Sequence, residues 1–432
     1  MTVREMKDSG VEWIGLIPEH WGTLSLQYLL SFSGSGTTPK RLDMLVCEDG
    51  NGINWLNTGD LTDGYIENIP QKLKTEVMHQ YSTLRLYPSG SLVIALYGAT
   101  AGKLGILLEP STTNQACCVL VPNKDLLNLK YLFYQLFAAR SSLISLAKGG
   151  GQPNISQETV RKFKVCFTDL QEQKKIANFL DSKCAEIDAL KADIEKQIET
   201  LQEYKKSVIT EAVTKGLDPN VEMKDSGVEW VGVIPKCWQL HPIYFYFTER
   251  KCLNKAGKEQ NLLSLSYGKI VKKDISTREG LLPASFNTYN IISSGDIVFR
   301  LTDLQNDKRS LRTALSRERG IITSAYVTIS PKTEMDTRFY HYLFHAYDIN
   351  KVFYNLGNGV RQGLNYSELS RLMALEPPKN EQIAIANFLD TKCAEIDAII
   401  LGKKNQLDTL VQYKQSLIYE YVTGKKAVPA NF

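Results

Sequence analysis

Residues Asn178 to Ala189 read NFLDSKCAEIDA, and residues Asn387 to Ala398 read NFLDTKCAEIDA. Eleven of the twelve positions agree. A second pair, Met6 to Trp21 (MKDSGVEWIGLIPEHW) and Met223 to Trp238 (MKDSGVEWVGVIPKCW), agrees at twelve of sixteen. The offsets of 217 and 209 residues mark a tandem duplication. Between these segments the two halves hardly match, so one repeated frame carries two different inserts.

Around the first of these stretches, Gln171 to Lys215 holds neither proline nor glycine, and apolar residues recur every seven positions: Leu180, Ile187, Ile194, Leu201 and Val208. Leu190, Ile198 and Tyr204 add a second row, which predicts a helix with a coiled-coil seam. Asp169 with Glu172 forms a capping-box pattern at the start, and Gly216 supplies the stop. The expected helix has about 45 residues and is roughly 65 to 70 Å long at 1.5 Å per residue. The second copy, Glu381 to Thr423 before Gly424, carries Ile385, Phe388, Leu389, Ile396, Ile399, Leu407, Leu410, Tyr413 and Leu417, with Lys403 where the first copy has Ile194. A buried Leu or Ile contributes about 1.5 to 3 kcal/mol only if something covers it. The two helices are therefore expected to pack on each other as an antiparallel pair, chiefly through Leu180, Ile187, Ile194, Leu201, Val208, Leu389, Ile396, Leu410 and Leu417.

The expected class is α+β: two α+β domains separated by two long antiparallel coiled-coil helices in a pseudo-two-fold repeat. The expected boundaries are 1–168, a spacer helix at 169–216, a second domain at 217–378, a second spacer helix at 379–424 and a tail at 425–432. At 432 residues and 43% hydrophobic content the chain can bury two cores. Neither a run of about 18 apolar residues nor a signal pattern is present, so the expected location is the cytoplasm, without a membrane. Eight scattered cysteines lack C-x-x-C spacing and read as reduced thiols, and His341 with His345 has no third ligand beside it in sequence.

The formal charge of +4 is unevenly spread. Residues 23–165 carry an excess of three positive charges and residues 239–378 an excess of six, which leaves the remainder acidic by five. Inserts that meet phosphates and a frame that meets protein would divide charge this way.

Within the first insert the strand expectations are Ser91 to Tyr97 and Ala116 to Val121, with a helix over Asn128 to Ala147. In the second they are Asp296 to Leu301 and Gly320 to Ser330, with a helix over Asp336 to Phe353. Phe32-Ser33-Gly34-Ser35-Gly36 imitates an S-adenosylmethionine loop, but Thr37-Thr38-Pro39 stops the helix such a site needs, and no N-P-P-F/Y tetrapeptide occurs. Gly98 to Leu104 imitates a P-loop, with three residues between its glycines and no Ser/Thr for magnesium. Its glycine-rich backbone beside Lys103 can still approach a phosphate.

The densest polar stretch runs from Arg300 through Asp303, Gln305, Asn306, Lys308 and Arg309 to Arg312, and combines groups able to read guanine and adenine. Gln152 and Asn154 in one half, and Arg361, Gln362 and Asn365 in the other, follow glycine-rich turns. With Lys40, Arg41, Tyr97, Thr100, Lys103, Asn114, Gln115 and Lys148 they complete the candidate DNA-contact set. No catalytic residue, cofactor site or metal site is expected in the chain.

The repeated G-V-E-W-x-G-x-I-P, Tyr97 to Lys103, Thr113-Asn114-Gln115-Ala116, Glu172-Gln173 and Glu381-Gln382 leading into I-A-N-F-L-D, and the stretch from Gly295-Asp296-Ile297-Val298-Phe299-Arg300 to Gly320–Tyr326 carry a resemblance over nearly the full length. The chain resembles the specificity subunits of type I restriction-modification systems. That resemblance implies a non-catalytic subunit with two target-recognition domains, each reading half of a split asymmetric site on double-stranded DNA. It further implies two modification subunits that bind S-adenosylmethionine and methylate adenine, and motor and nuclease subunits that use ATP and magnesium. A protein-binding coiled-coil scaffold and a self-sufficient DNA-modifying enzyme are the alternatives.

Overall fold

The computed structural model describes residues 4–40, 52–147, 154–275, 285–304, 311–355, 363–430 and 432. The chain forms two compact units, one from 1–194 with 405–432 and one from 195–404. The division falls inside two long helices, Leu170–Lys215 and Lys379–Val422, of 46 and 44 residues. Each unit thus owns one insert and one half of each helix.

Both units are built the same way although their inserts share almost no sequence. In the first, a five-stranded sheet runs Leu30–Gly34, Cys117–Pro122, Leu92–Ala95, Leu104–Leu107, Gly64–Ile66, antiparallel except for its last pair. In the second, an antiparallel four-stranded sheet runs Phe247–Glu249, Val327–Pro331, Ile297–Phe299, Thr313–Leu315. The first four strands correspond in order. After the sheet each unit forms an insert helix, Leu129–Ala138 or Thr337–Ile349. A short helix follows, and then a strand (Lys164–Phe167 or Met373–Glu376) pairs with the residues just after the repeated segment, Gly22–Ser25 or Gln239–Pro242.

Three sequence expectations need correction here. The helix over 128–147 is two, joined at Ala139, and the break sets Arg140 against Asp63. The run Gly320 to Ser330 is two strands in different sheets, Gly320–Ile322 on Asn290–Ile292 and Val327–Pro331 in the main sheet. The helix after Asp336 ends at Ile349, and Val352–Asn355 is a separate 3-10 turn.

Within each unit the half-helices pack antiparallel. In the first, Phe179 meets Tyr421 with ring centroids 4.5 Å apart, and nine residues further on Asp188 takes the Lys414 ammonium at 2.6 Å. In the second, Lys205 reaches Asp397 at 2.7 Å, and Lys403 donates to Gln197. Lys403 thus stays half-buried by finding an amide acceptor, where its counterpart Ile194 needs none. Leu180, Ile187, Leu389, Ile396 and Leu417 are buried as expected, while Ile194, Leu201, Val208 and Leu410 are half-buried. The second row is mostly outside: Leu190, Tyr204, Ile399 and Tyr413 are 50–55% exposed, and of that row only Ile198 is buried.

The repeated segments explain themselves as clamps. Trp21, 1% exposed, donates its indole N–H to Glu172 at the start of the first long helix at 2.8 Å, and its ring lies against Gly424 at the end of the second. Trp238 does the same in the other unit, donating to Glu381 at 3.0 Å and lying against Gly216. Both glycines have φ above +70°, and a Cβ on Gly424 would sit 2.5 Å from the Pro18 ring, whereas one on Gly216 would meet the Glu381 carboxylate at 2.8 Å. The capping box at the first helix is only half formed. Asp169 accepts the amide of Glu172, but the Glu172 carboxylate is taken by Trp21, Thr168, Arg4 and His20.

Candidate nucleic-acid interface

The frame also dictates how each insert is held. Gln173 accepts the amide of Asn128 and donates to the carbonyls of Leu126 and Thr168. Gln382 accepts the amide of Asp336 and donates to the carbonyl of Pro377. About two turns further along, Asp181 accepts from Tyr134 at 2.6 Å and Lys130 at 3.1 Å, and Asp390 accepts from Tyr342 at 2.8 Å and Arg338 at 2.9 Å. The recurring E-Q and N-F-L-D words therefore lock an insert helix to a long helix at equivalent points. Sequence reading did not anticipate the insert side of this lock, although a cap residue, a base two positions on and a tyrosine six positions on recur in both halves: Asn128, Lys130, Tyr134 and Asp336, Arg338, Tyr342.

On the first insert, three loops and one bridge gather expected contact residues. The turn Gly98–Thr100 follows the strand Leu92–Ala95, with Tyr97 bridged to Asn154. The Leu96 amide donates to the carbonyl of Ala116, and the amide of Ile155 donates to Leu96. Tyr97, Thr100, Asn154 and the Asn114–Gln115 loop are thereby brought together. Gln115 is exposed and accepts from the Thr38 hydroxyl at 2.6 Å, and the exposed Lys40 is tied through its amide to Tyr81. Lys103 is half-buried at the end of the glycine-rich turn.

Asn114 differs from expectation: its carboxamide donates to Asn57 and accepts the amide of Ala116, so it shapes the loop. The glycine pattern at Phe32–Gly36 has a packing cause too. Gly36 donates its amide to Thr113 Oγ1, and a Cβ there would fall 1.7 Å from the Thr113 carbonyl oxygen.

The second insert corrects three further residues. Arg312 is fully buried: its guanidinium donates to the carbonyls of Arg300, Thr302 and Asp303 and to the Tyr354 hydroxyl. It braces the polar stretch from behind and is not offered to DNA. Burial raises the carboxyl of nearby Asp348 above the ordinary aspartate range even though it accepts the Arg312 amide. Asp303, half-buried at φ +58°, is part of the same bend. Asn365 caps the short helix Tyr366–Leu369 in a full capping box. The amide of Leu364 donates to Leu301 as that of Ile155 does to Leu96, so Asn365 corresponds to the cap Ser156 and not to Asn154. Arg300 is half-buried at the mouth of the stretch. Arg41, Lys148, Gln152, Gln305, Asn306, Lys308, Arg309, Arg361 and Gln362 lie outside the described residues.

Burial pushes His341 down to about 4 and His345 to about 3, so both are neutral imidazoles. Among the described residues no three His, Cys, Asp or Glu side chains converge to hold a metal, and no described helix is long and apolar enough to cross a membrane. What the two inserts share is a buried frame and solvent-facing polar groups.

Residues 18–200 match the family model of the type I restriction modification DNA specificity domain. Over these residues the chain is similar to the specificity domain of type I restriction-modification systems. It is 25% identical over 427 residues to the type I restriction enzyme MjaVIII specificity subunit of Methanocaldococcus jannaschii, covering 95% of this chain and 93% of that one. Its fold is similar to a chain in a structure describing complex assembly and conformational transition of a type I R-M system, at a TM-score of 0.70, 12% identity and coverage of 95% and 99%. It is also similar to the HsdS subunit from Thermoanaerobacter tengcongensis, at 0.53, 12% identity and coverage of 95% and 98%. The role of the chain is non-catalytic recognition of DNA sequence.

Proposed function

We propose that each insert reads one half of a bipartite, asymmetric site on duplex DNA, and that the length of the long helices sets the unread gap. The observation that carries this reading is the pair of equivalent locks, Trp21–Glu172–Gln173 with Asp181 and Trp238–Glu381–Gln382 with Asp390, which hold two unlike inserts to one repeated frame. Phosphate contacts from the basic inserts position the protein, and side chains in the groove choose the bases.

Two adenine-methylating subunits that bind S-adenosylmethionine are the proposed partners of the frame, joined for restriction by motor and nuclease subunits using ATP and magnesium. Support comes from the outward row of the helices. Lys183, Leu190, Gln197, Tyr204 and Glu211 recur at a spacing of seven as Lys392, Ile399, Gln406, Tyr413 and Glu420, and the apolar members Leu190, Tyr204, Ile399 and Tyr413 stay 50–55% exposed. A scaffold that binds protein alone has no use for the basic excess of the inserts.

The test is a chimera in which residues 239–378 are exchanged for those of a relative, co-expressed with the modification subunits, with methylated sites mapped across the host genome. One half of the recognised sequence should change and the other should stay. Alteration of both halves would overturn the modular reading.

A further inference from the structure

Beside its polar stretch, the second insert carries a tight two-stranded hairpin. Strands Leu263–Ser266 and Lys269–Lys272 form a hairpin closed by two residues, Tyr267 and Gly268, both at positive φ (+46° and +75°). A two-residue turn of this kind favours Asn-Gly or Asp-Gly, because a bulky L-residue at positive φ pushes its Cβ toward its own carbonyl. Tyrosine is a poor choice for the turn itself. Its ring gains nothing from burial either: at 81% exposure it is the most exposed of the described large apolar side chains. A side chain that harms the turn and finds no cover among the described residues points to a use outside the chain.

The surroundings narrow that use. Register gives the ribbon two faces. Leu263, Leu265 and Ile270 lie in or against a small core with Ile292, Val298, Ala314 and Ile322. The opposite face presents Ser264, Ser266, Lys269 and Val271, with Lys269 and Val271 exposed. Lys273 continues the positive edge, and Lys272 is steadied by Glu318 at 2.9 Å. At the tip, a Cβ on Gly268 would stand 3.0 Å from Leu311, the residue that leads the polar stretch back into the sheet. The hairpin tip and the polar stretch expected to read bases are therefore neighbours.

We infer that this ribbon enters the major groove of the half-site read by the second insert, with Tyr267 as a specificity-determining residue whose ring packs on base edges. A two-stranded ribbon has the width of that groove, hydroxyls can meet either donors or acceptors, and apolar groups such as Val271 and the ring suit a thymine methyl. Lys269 and Lys273 take the flanking phosphates. This rests on the DNA-reading role of the chain and adds to it a named element and a named side chain.

The decisive variant is Tyr267→Asn in the full chain with its modification subunits. Asparagine suits the positive φ, so the thermal midpoint should hold or rise while the ring is gone. Binding is measured to a duplex carrying the methylated site mapped for the unaltered protein, and to one with the second half-site scrambled. The expected result is a loss of at least about tenfold on the mapped duplex, with the scrambled duplex unchanged within about twofold. Tyr267→Phe should keep the discrimination, and Lys269→Ala should weaken both duplexes together. Full discrimination by Tyr267→Asn overturns the inference while leaving the DNA-reading role intact. Failure of the unaltered protein to tell the two duplexes apart would instead overturn that role, and the inference with it.

Discussion

Removing the Glu172 carboxylate by Glu172→Ala tests whether the repeated segment is a clamp. That carboxylate accepts the Thr168 hydroxyl at 2.6 Å, the Trp21 indole at 2.8 Å and the Arg4 guanidinium at 3.0 Å. Hydrogen bonds to a charged group are worth about 1.5 to 3 kcal/mol each, and the deletion also strands a buried indole N–H. Discounting the half-exposed Arg4 leaves an expected loss of about 3 to 4 kcal/mol. Glu381→Ala, where Trp238 is the partner at 3.0 Å, should cost about 2 kcal/mol. Native-state hydrogen exchange read by mass spectrometry, on peptides near Trp21 and near Trp238, measures the two units separately.

The same carboxyl gives a pH signature. Burial alone would raise its pKa, but hydrogen bonds from Thr168, Trp21, His20 and Arg4 outweigh that and hold it below the ordinary glutamate value. The folded value lies under the unfolded one, so this stabilisation is complete above about pH 4.3 and disappears as pH falls through the folded value. Glu172→Gln should flatten the acid limb of unit stability. A loss below about 1 kcal/mol in Glu172→Ala, or an acid limb unchanged by Glu172→Gln, would refute the clamp.

Gly424→Ala should destabilise by about 2 to 4 kcal/mol, since positive φ and the rigid Pro18 ring both oppose a Cβ, whereas Gly216→Ala meets the movable Glu381 carboxylate and should cost about half as much; urea unfolding distinguishes them. Arg312→Ala should lower stability by about 3 kcal/mol or more without moving base preference, because its guanidinium serves three carbonyls and a hydroxyl inside the fold; methylation mapping of the surviving protein checks this. Paired Leu190→Ser and Ile399→Ser should leave the thermal midpoint within a few degrees yet abolish co-purification of the modification subunits, and retained co-purification would remove the outward row as their docking surface.

Sequence alone determined the duplication, the two long helices and the division between a repeated frame and unlike inserts, because seven-residue spacing and repeated words are local properties of the chain. It also located the strands around Leu92–Ala95, Cys117–Pro122 and Ile297–Phe299, whose apolar runs are continuous because both faces are covered. Periodicity gives a stripe but not which edge of the stripe is covered, so Leu190, Tyr204, Ile399 and Tyr413 read as seam residues until the packing of the half-helices left them outside.

Tertiary structure alone decided the roles of polar side chains. Glu172 looked like half of a local capping box, yet it bonds a tryptophan 151 residues away. Arg312 looked like a DNA contact, yet it is spent on carbonyls of its own loop. Asn365 turned out to cap a helix. A polar group gains by finding any partner with the right geometry, and that partner can come from anywhere in the fold. Residue type therefore announces a need for hydrogen bonds, and only the assembled chain shows whether protein or DNA meets it.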